Sequence, residues 1–239
     1  MYAKTLDRSI INNALNLLSK DIKKTYGRKA VVEIVIVGGA SITLNYSFRQ
    51  GTTDIDALVS DGLYSIKESV YRVAKQIGLP DDWLNNDFTK TSSYSSRLIG
   101  CSTYYKTYNQ VLHVRVVKNE YLIATKLVSA RKYKNDLSDI VGIISESPNI
   151  TRKMVESAVA DIYGDTSYVD SQMWDFLDKC FDNHSINDYR NISLMELNNK
   201  SKLVRFEAQN EDVLRKDNVD EIIKILNEKG FDSDDKELP

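Results

Sequence analysis

The chain has only two cysteines in 239 residues, Cys101 and Cys180, and neither belongs to a Cys-x-x-Cys pair. That argues against a disulfide framework and a cysteine zinc site, so a reducing cytoplasm is the expected compartment. The two histidines, His113 and His184, have no second ligand at metal-binding spacing, so a histidine zinc site is not expected either. No apolar run approaches the roughly 18 residues of a membrane-spanning helix. The first residues, Met1-Tyr2-Ala3-Lys4-Thr5-Leu6-Asp7-Arg8, are polar and lack the apolar core of a secretion signal. No membrane association is expected. Internal repeats are missing too, and the net charge is only −2. It is unevenly spread: residues 1–149 carry +6 and residues 150–239 carry −8. Such asymmetry suits a first part that meets phosphate-bearing ligands, although two ordinary solvated surfaces would look the same.

What the chain does have is enough apolar content to bury a core without disulfides, in one large domain or two modest ones. Leu6, Ile10, Ile11, Ala14, Leu17, Leu18 and Ile22 recur at three- and four-residue intervals and predict an amphipathic helix over 6–25. A β-branched run over 31–37 predicts a buried strand, a short helix follows over 40–46, and 54–59 reads as a second strand. A helix over 66–77 stops at Gly78 and Pro80, and 89–96 reads as loop. Residues 98–105 and 110–117 read as paired strands around a turn at 106–109. From Glu120 onward the pattern is helical: 119–133, 136–145, 151–163, 171–181, 191–208 and 217–229. The expected organisation is an α+β unit over 1–118, then a helical unit over 119–239 with a disordered acidic tail at 232–237.

The densest information lies between Gly38 and Asp56. Gly38-Gly39-Ala40-Ser41 follows the first strand, and Asp54-Ile55-Asp56 opens the second, with Arg49 and Thr52 just upstream. Side chains on a strand alternate, so Asp54 and Asp56 point the same way and can hold a divalent metal. Mg²⁺, with Mn²⁺ as the alternative, prefers oxygen ligands and usually takes one or two carboxylates plus phosphate oxygens. The Gly38 and Gly39 amides, the Ser41 hydroxyl and the short helix's N-terminus suit phosphate oxygens. Arginine's bidentate geometry gives Arg49 either a phosphate or a loop-anchoring role. Trp83 reads as core. Tyr94, Tyr104, Tyr105 and Tyr108, interleaved with Lys90, Arg97 and Lys106, could stack on single-stranded nucleic acid but fit hairpin packing better.

These motifs resemble the nucleotidyltransferase superfamily, whose core has Gly-Gly or Gly-Ser after one strand and Asp-apolar-Asp on the next. More narrowly, Gly38–Ser41, Arg49–Asp56, Leu79–Asn85 and Tyr121–Arg131 are similar to the abortive-infection nucleotidyltransferase toxins of the AbiEii type. The resemblance covers about residues 30–145 and implies an α+β, polymerase-beta-like fold: a small mixed sheet with flanking helices, then a helical C-terminal region. It implies transfer of a nucleoside monophosphate from a triphosphate to a hydroxyl of a protein or RNA. It also implies a toxin–antitoxin or phage-defence setting with an antitoxin protein as partner.

The superfamily often places a third acid on a later strand. The matching strand here, Val111 to Val117, has none; His113 and Arg115 share its face. The toxin-like resemblance implies instead a lysine near the phosphates and a downstream aspartate, matching Lys126 and either Asp136 or Asp139. Lys126 would neutralise phosphate charge. Asp139 would act as a base or orient one, and Asp136 is alternatively a helix N-cap. The missing strand acid also motivates a second reading, a catalytically inactive nucleotide-binding or protein-interaction module on the same fold. A third gives the acidic helical half a partner-binding role.

Overall fold

The computed structural model describes residues 5–59, 66–182, 186–210, 213–215 and 218–228. The expected acidic tail at 232–237 and His184 lie outside these residues. The chain opens with α1 (Arg8–Tyr26). Asp7 caps it by accepting the Ile10 N–H at 2.7 Å, and Gly27 ends it. Such a cap contributes about 1 kcal/mol. Strand β1 (Val32–Ile36) leads into α2 (Gly38–Asn45), and β2 (Ile55–Val59) follows. Helix α3 (Lys67–Ile77) stops at the left-handed Gly78. Then come the two-residue β3 (Leu84–Asn85) and short 3₁₀ turns at Asp87–Lys90 and Ser96–Ile99. The hairpin β4 (Ser102–Tyr108) and β5 (Leu112–Val117) completes the strands.

Together they form one five-stranded mixed sheet of order β3-β2-β1-β5-β4. β1 runs antiparallel to β2 and parallel to β5, so the chain crosses over between the first two strands and the hairpin. One face of the sheet packs on α1 and α3 through a core that includes Leu15, Leu18, Ile34, Ile36, Ile55 and Trp83. Trp83 is fully buried and donates its indole N–H to the Val70 carbonyl at 3.0 Å, a core role as expected.

The other face meets the helices that follow: α4 (Asn119–Ser129), α5 (Asp136–Glu146), α6 (Arg152–Tyr163) and α7 (Ser171–Asp182). Val35, Val37 and Leu58 of the sheet share one buried cluster with Leu122, Leu127, Ile140, Val155 and Leu177. The last described helices, α8 (Ile186–Gln209) and α9 (Val219–Glu228), form a smaller cluster around Leu203, Ile223 and Leu226.

Three expected boundaries move. The hairpin turn sits at 109–111 rather than 106–109, and of the expected strand over 98–105 only the first residues, a 3₁₀ turn and its exit before Ser102, are not strand. Asn109 and Gln110 both adopt positive φ, 48° and 66°, and the Val111 N–H reaches the Tyr108 carbonyl at 3.1 Å. A tight hairpin turn that follows the strands' twist needs that backbone at its two central residues, and asparagine tolerates it. The helix expected over 119–133 ends at Ser129, where Ala130 turns left-handed with φ 45°. The hairpin tyrosines pack as expected: Tyr105 and Tyr108 both donate to Asn12 Oδ1, at 3.3 and 2.6 Å, whereas Tyr104 is exposed.

Candidate active site

The site grows from the crossing of β1, α2 and β2. Val37 is the last extended residue before α2, and its N–H bonds the Asp56 carbonyl at 3.0 Å, which ties the glycine turn to the acidic strand. Gly38 has φ +59°, and a Cβ there would lie 3.7 Å from Asp56 Oδ2. Gly39 is still more constrained: a Cβ would sit 2.6 Å from Arg49 Nη2 and 3.0 Å from Thr52 Oγ1. The second glycine is thus the space into which Arg49 and Thr52 fit. Thr52 is itself held by paired backbone bonds with Leu6, at 2.7 and 3.0 Å.

Ile55 is fully buried between two half-buried aspartates, as strand alternation predicts. Asp54 accepts hydrogen bonds from Asn85 Nδ2 and Thr53 Oγ1, each at 3.2 Å. Asp56 Oδ1 accepts the Phe88 N–H at 3.2 Å. Burial, the neighbouring Asp54 carboxylate and, further off, Asp87 push the Asp56 carboxyl up to about 6. Carboxylates that repel one another at the wall of a polar cavity are relieved by a divalent cation, and an all-oxygen donor set suits Mg²⁺ or Mn²⁺. Asp54 and Asp56 are the residues that could hold such an ion.

Opposite this strand lies a buried ion-pair cluster. Lys126, near the end of α4, is 7% exposed and donates to Asp136 Oδ1 at 2.8 Å, with Asp139 Oδ2 at 2.9 Å. Arg131 binds the same Asp136 through its backbone N–H at 3.2 Å, Nε at 2.7 Å and Nη2 at 3.1 Å. Arg49 pairs with Asp139 and donates Nε to the Gly51 carbonyl at 3.2 Å. Burial opposes the charge on Lys126, but Asp136 and Asp139 outweigh it and hold the ammonium's pKa above its ordinary value. Burial likewise opposes ionisation of Asp136, yet Lys126 and Arg131 keep its carboxyl well below the usual range. Three cations face two carboxylates, leaving one net positive charge.

A cavity of about 520 Å³ joins the two halves. Of the residues expected from sequence, Gly38, Gly39, Arg49, Thr52, Asp54, Asp56, Lys126 and Asp136 line it. Ser41 and Asp139 do not. Ser41 is fully buried inside α2, its Oγ without a hydrogen-bond partner, and Asp139 sits behind Lys126 and Arg49. Asp136 is the first residue of α5, not its N-cap; the cap position is Asn135. On β5, His113 bonds Thr107 at 3.0 Å and Arg115 bonds Ser102, so neither enters the cavity.

Sequence reasoning passed over several lining residues. Asp87 adds a fourth carboxylate from the turn after β3, while Arg131, Tyr133 and Lys134 come from the loop between α4 and α5. Their dense run of charge beside Lys126 was the available signal. Lys200 reaches the rim from α8, and nothing local marks it. Burial and the nearby Arg131 push the Lys134 ammonium below its ordinary value.

A strand, a Gly-Gly turn, a buried helix and an Asp-x-Asp segment entering the next strand around one polar cavity make a nucleotidyltransferase-like fold. Residues 13–178 match the family described as "Nucleotidyltransferase of unknown function (DUF6036)", and the chain belongs to it. No curated protein and no solved structure matches it.

Proposed function

We propose that the protein is a Mg²⁺-dependent nucleotidyltransferase that moves a nucleoside monophosphate from a triphosphate to a hydroxyl of a protein or RNA. The observation that carries this is the single cavity in which Asp54 and Asp56 face the Gly38–Gly39 turn and Lys126. Asp54 and Asp56 would hold the metal, which would supply charge neutralisation at the phosphates. The Gly38 and Gly39 N–H groups at the start of α2 donate to phosphate oxygens. Lys126 and Arg49 offset the charge that develops as pyrophosphate departs. The acceptor oxygen bonds to the α-phosphorus as the bond to pyrophosphate breaks.

The acceptor's proton needs somewhere to go. Asp136 is held as a counter-ion by Lys126 and Arg131, and Asp139 lies off the cavity. Asp87 reaches the same cavity with its side chain 61% exposed and paired, at 2.6 Å, with the exposed Lys90, a solvent-screened contact weaker than the buried pairs of Asp136, and we assign it the proton. Phosphoryl transfer depends mainly on positioning and electrostatics, so this base matters less than the metal-holding pair. The bacterial toxin–antitoxin or phage-defence setting, with an antitoxin partner, rests on sequence resemblance alone.

The test is incubation with each α-labelled triphosphate, Mg²⁺ and cell extract. Asp56→Ala is expected to lower label transfer by about 100-fold or more while leaving the folded signal intact. Transfer that survives the substitution removes Asp56 from the mechanism. Triphosphate binding with no transfer by the wild type favours the second reading, an inactive nucleotide-binding module, which the acid-free β5 supports.

A further inference from the structure

One buried ionisable side chain has no part in this chemistry. Glu196, on α8, is 2% exposed and does not line the cavity. Its carboxylate is aimed at the first turn of α5. Oε1 accepts the Leu137 N–H at 2.8 Å, and Oε2 accepts the Ser138 hydroxyl at 2.5 Å and the Ser138 N–H at 3.4 Å. The first amides of a helix have no partner within it. Here the Asp136 N–H goes to the Lys134 carbonyl and the Asp139 N–H to that of Asn135, while Asn135 makes no side-chain cap. Leu137 and Ser138 are the two amides left over, and Glu196 takes both from some sixty residues along the chain. A carboxylate is also the favoured group at a helix N-terminus.

Leu137 and Ser138 are flanked by Asp136 and Asp139, the two carboxylates that hold Lys126. The same helix fastens the rest of the loop. Asn199 donates to the Lys132 carbonyl at 2.8 Å, and Tyr133 packs against the cluster around Leu203. Tyr189 donates to the Phe48 carbonyl at 3.0 Å, next to Arg49.

We infer that Glu196 is a positioning residue: by capping the first turn of α5 from α8, it fixes Asp136 and Asp139 and, through them, the ammonium of Lys126 in the cavity. The effect on turnover rests on the nucleotidyltransferase reading; the effect on Lys126 does not. A helix turn shifted by a fraction of an ångström displaces the cation aimed at developing charge, which lowers kcat rather than triphosphate binding.

The full chain is compared with Glu196→Ala, Glu196→Gln and Ser138→Ala by three measurements. These are amide exchange at Leu137 and Ser138, the Lys126 side-chain ¹⁵Nζ resonance, and kcat against KM for the triphosphate. Glu196→Ala is expected to speed exchange at both amides and to broaden or shift the Lys126 resonance. It should also lower kcat about tenfold or more with KM within about threefold. Glu196→Gln, which keeps one acceptor oxygen, should fall between, and Ser138→Ala should be milder.

Faster amide exchange with the Lys126 resonance and kcat unchanged would reduce Glu196 to a structural cap and overturn the inference. Where Glu196→Ala does not fold, the other two variants decide. Where the wild type transfers no nucleotide, the transfer reading fails, and exchange and the Lys126 resonance still decide the positioning.

Discussion

Gly39 shows how a residue can matter by what it leaves out. Alanine there must displace the Arg49 guanidinium or the Thr52 hydroxyl, both of which face the cavity. Gly39→Ala should therefore weaken triphosphate binding about tenfold, measured by titration calorimetry, with a far smaller change in melting temperature. The buried pairs predict the opposite balance. Asp136→Asn leaves Lys126 and Arg131 short of a carboxylate in a buried setting, and removing one partner of such a pair costs about 3 kcal/mol. Urea unfolding should show that loss; an unchanged midpoint would mean that water enters and replaces the carboxylate. At this scale the sequence was most legible where chemistry is local. Asp54, Asp56 and the glycines, which share one cavity, stand out because they lie within nineteen residues of one another and each has a residue type that nucleotidyl transfer would use. The placement of Ser41 inside α2 was not visible, because helix phase is set by which face the sheet covers.

Among the elements, the contact from α8 to the first turn of α5 carries a pH dependence. Burial, opposed by the bonds from Ser138 and Leu137 and reinforced by Asp139, pushes Glu196 up to about 7 from its ordinary 4.5. Between those values the folded protein holds a proton that the unfolded chain has released. Stability therefore falls as pH rises from about 4.5 to about 7 and levels off above, by at most about 3 kcal/mol from this group. Melting curves across that range should be flatter for Glu196→Gln than for the wild type. Helix α5 packs Gly142 against the Phe48 ring, where a Cβ would lie 2.5–2.6 Å from ring carbons. Gly142→Ala should cost about 1–3 kcal/mol through overpacking, despite alanine's better helix propensity. Periodicity predicted α1, α3, α6 and α7 closely because each buries one regular stripe. It ran past the end of α4, since the break at Ala130 is set by Asp136 drawing in both the backbone and the guanidinium of Arg131.

On the scale of the whole molecule, the family match ends at residue 178, yet α8 begins at Ile186, holds α5 and the loop before it through Glu196 and Asn199, and reaches the cavity rim with Lys200. A chain ending at residue 182 retains every motif that sequence reasoning singled out for the site. It should nevertheless lose triphosphate binding by about tenfold or more, because the loop bearing Arg131, Tyr133 and Lys134 is held from α8 and α9. Binding equal to the full chain would show that the sheet and α4–α7 suffice. This dependence was illegible in the sequence for a physical reason: a cap made between residues some sixty positions apart leaves no spacing rule behind. Among the described residues no helix is long and apolar enough to cross a membrane.

The α8 cap also sets an order of events during synthesis. Asp54, Asp56 and Lys126 leave the ribosome well before Glu196, so the nascent chain carries these cavity-lining groups while the first turn of α5 still lacks its partner. Completion of the cavity wall waits on a residue about seventy positions beyond Lys126, so on the Glu196 reading the cation geometry is set only after α8 has emerged.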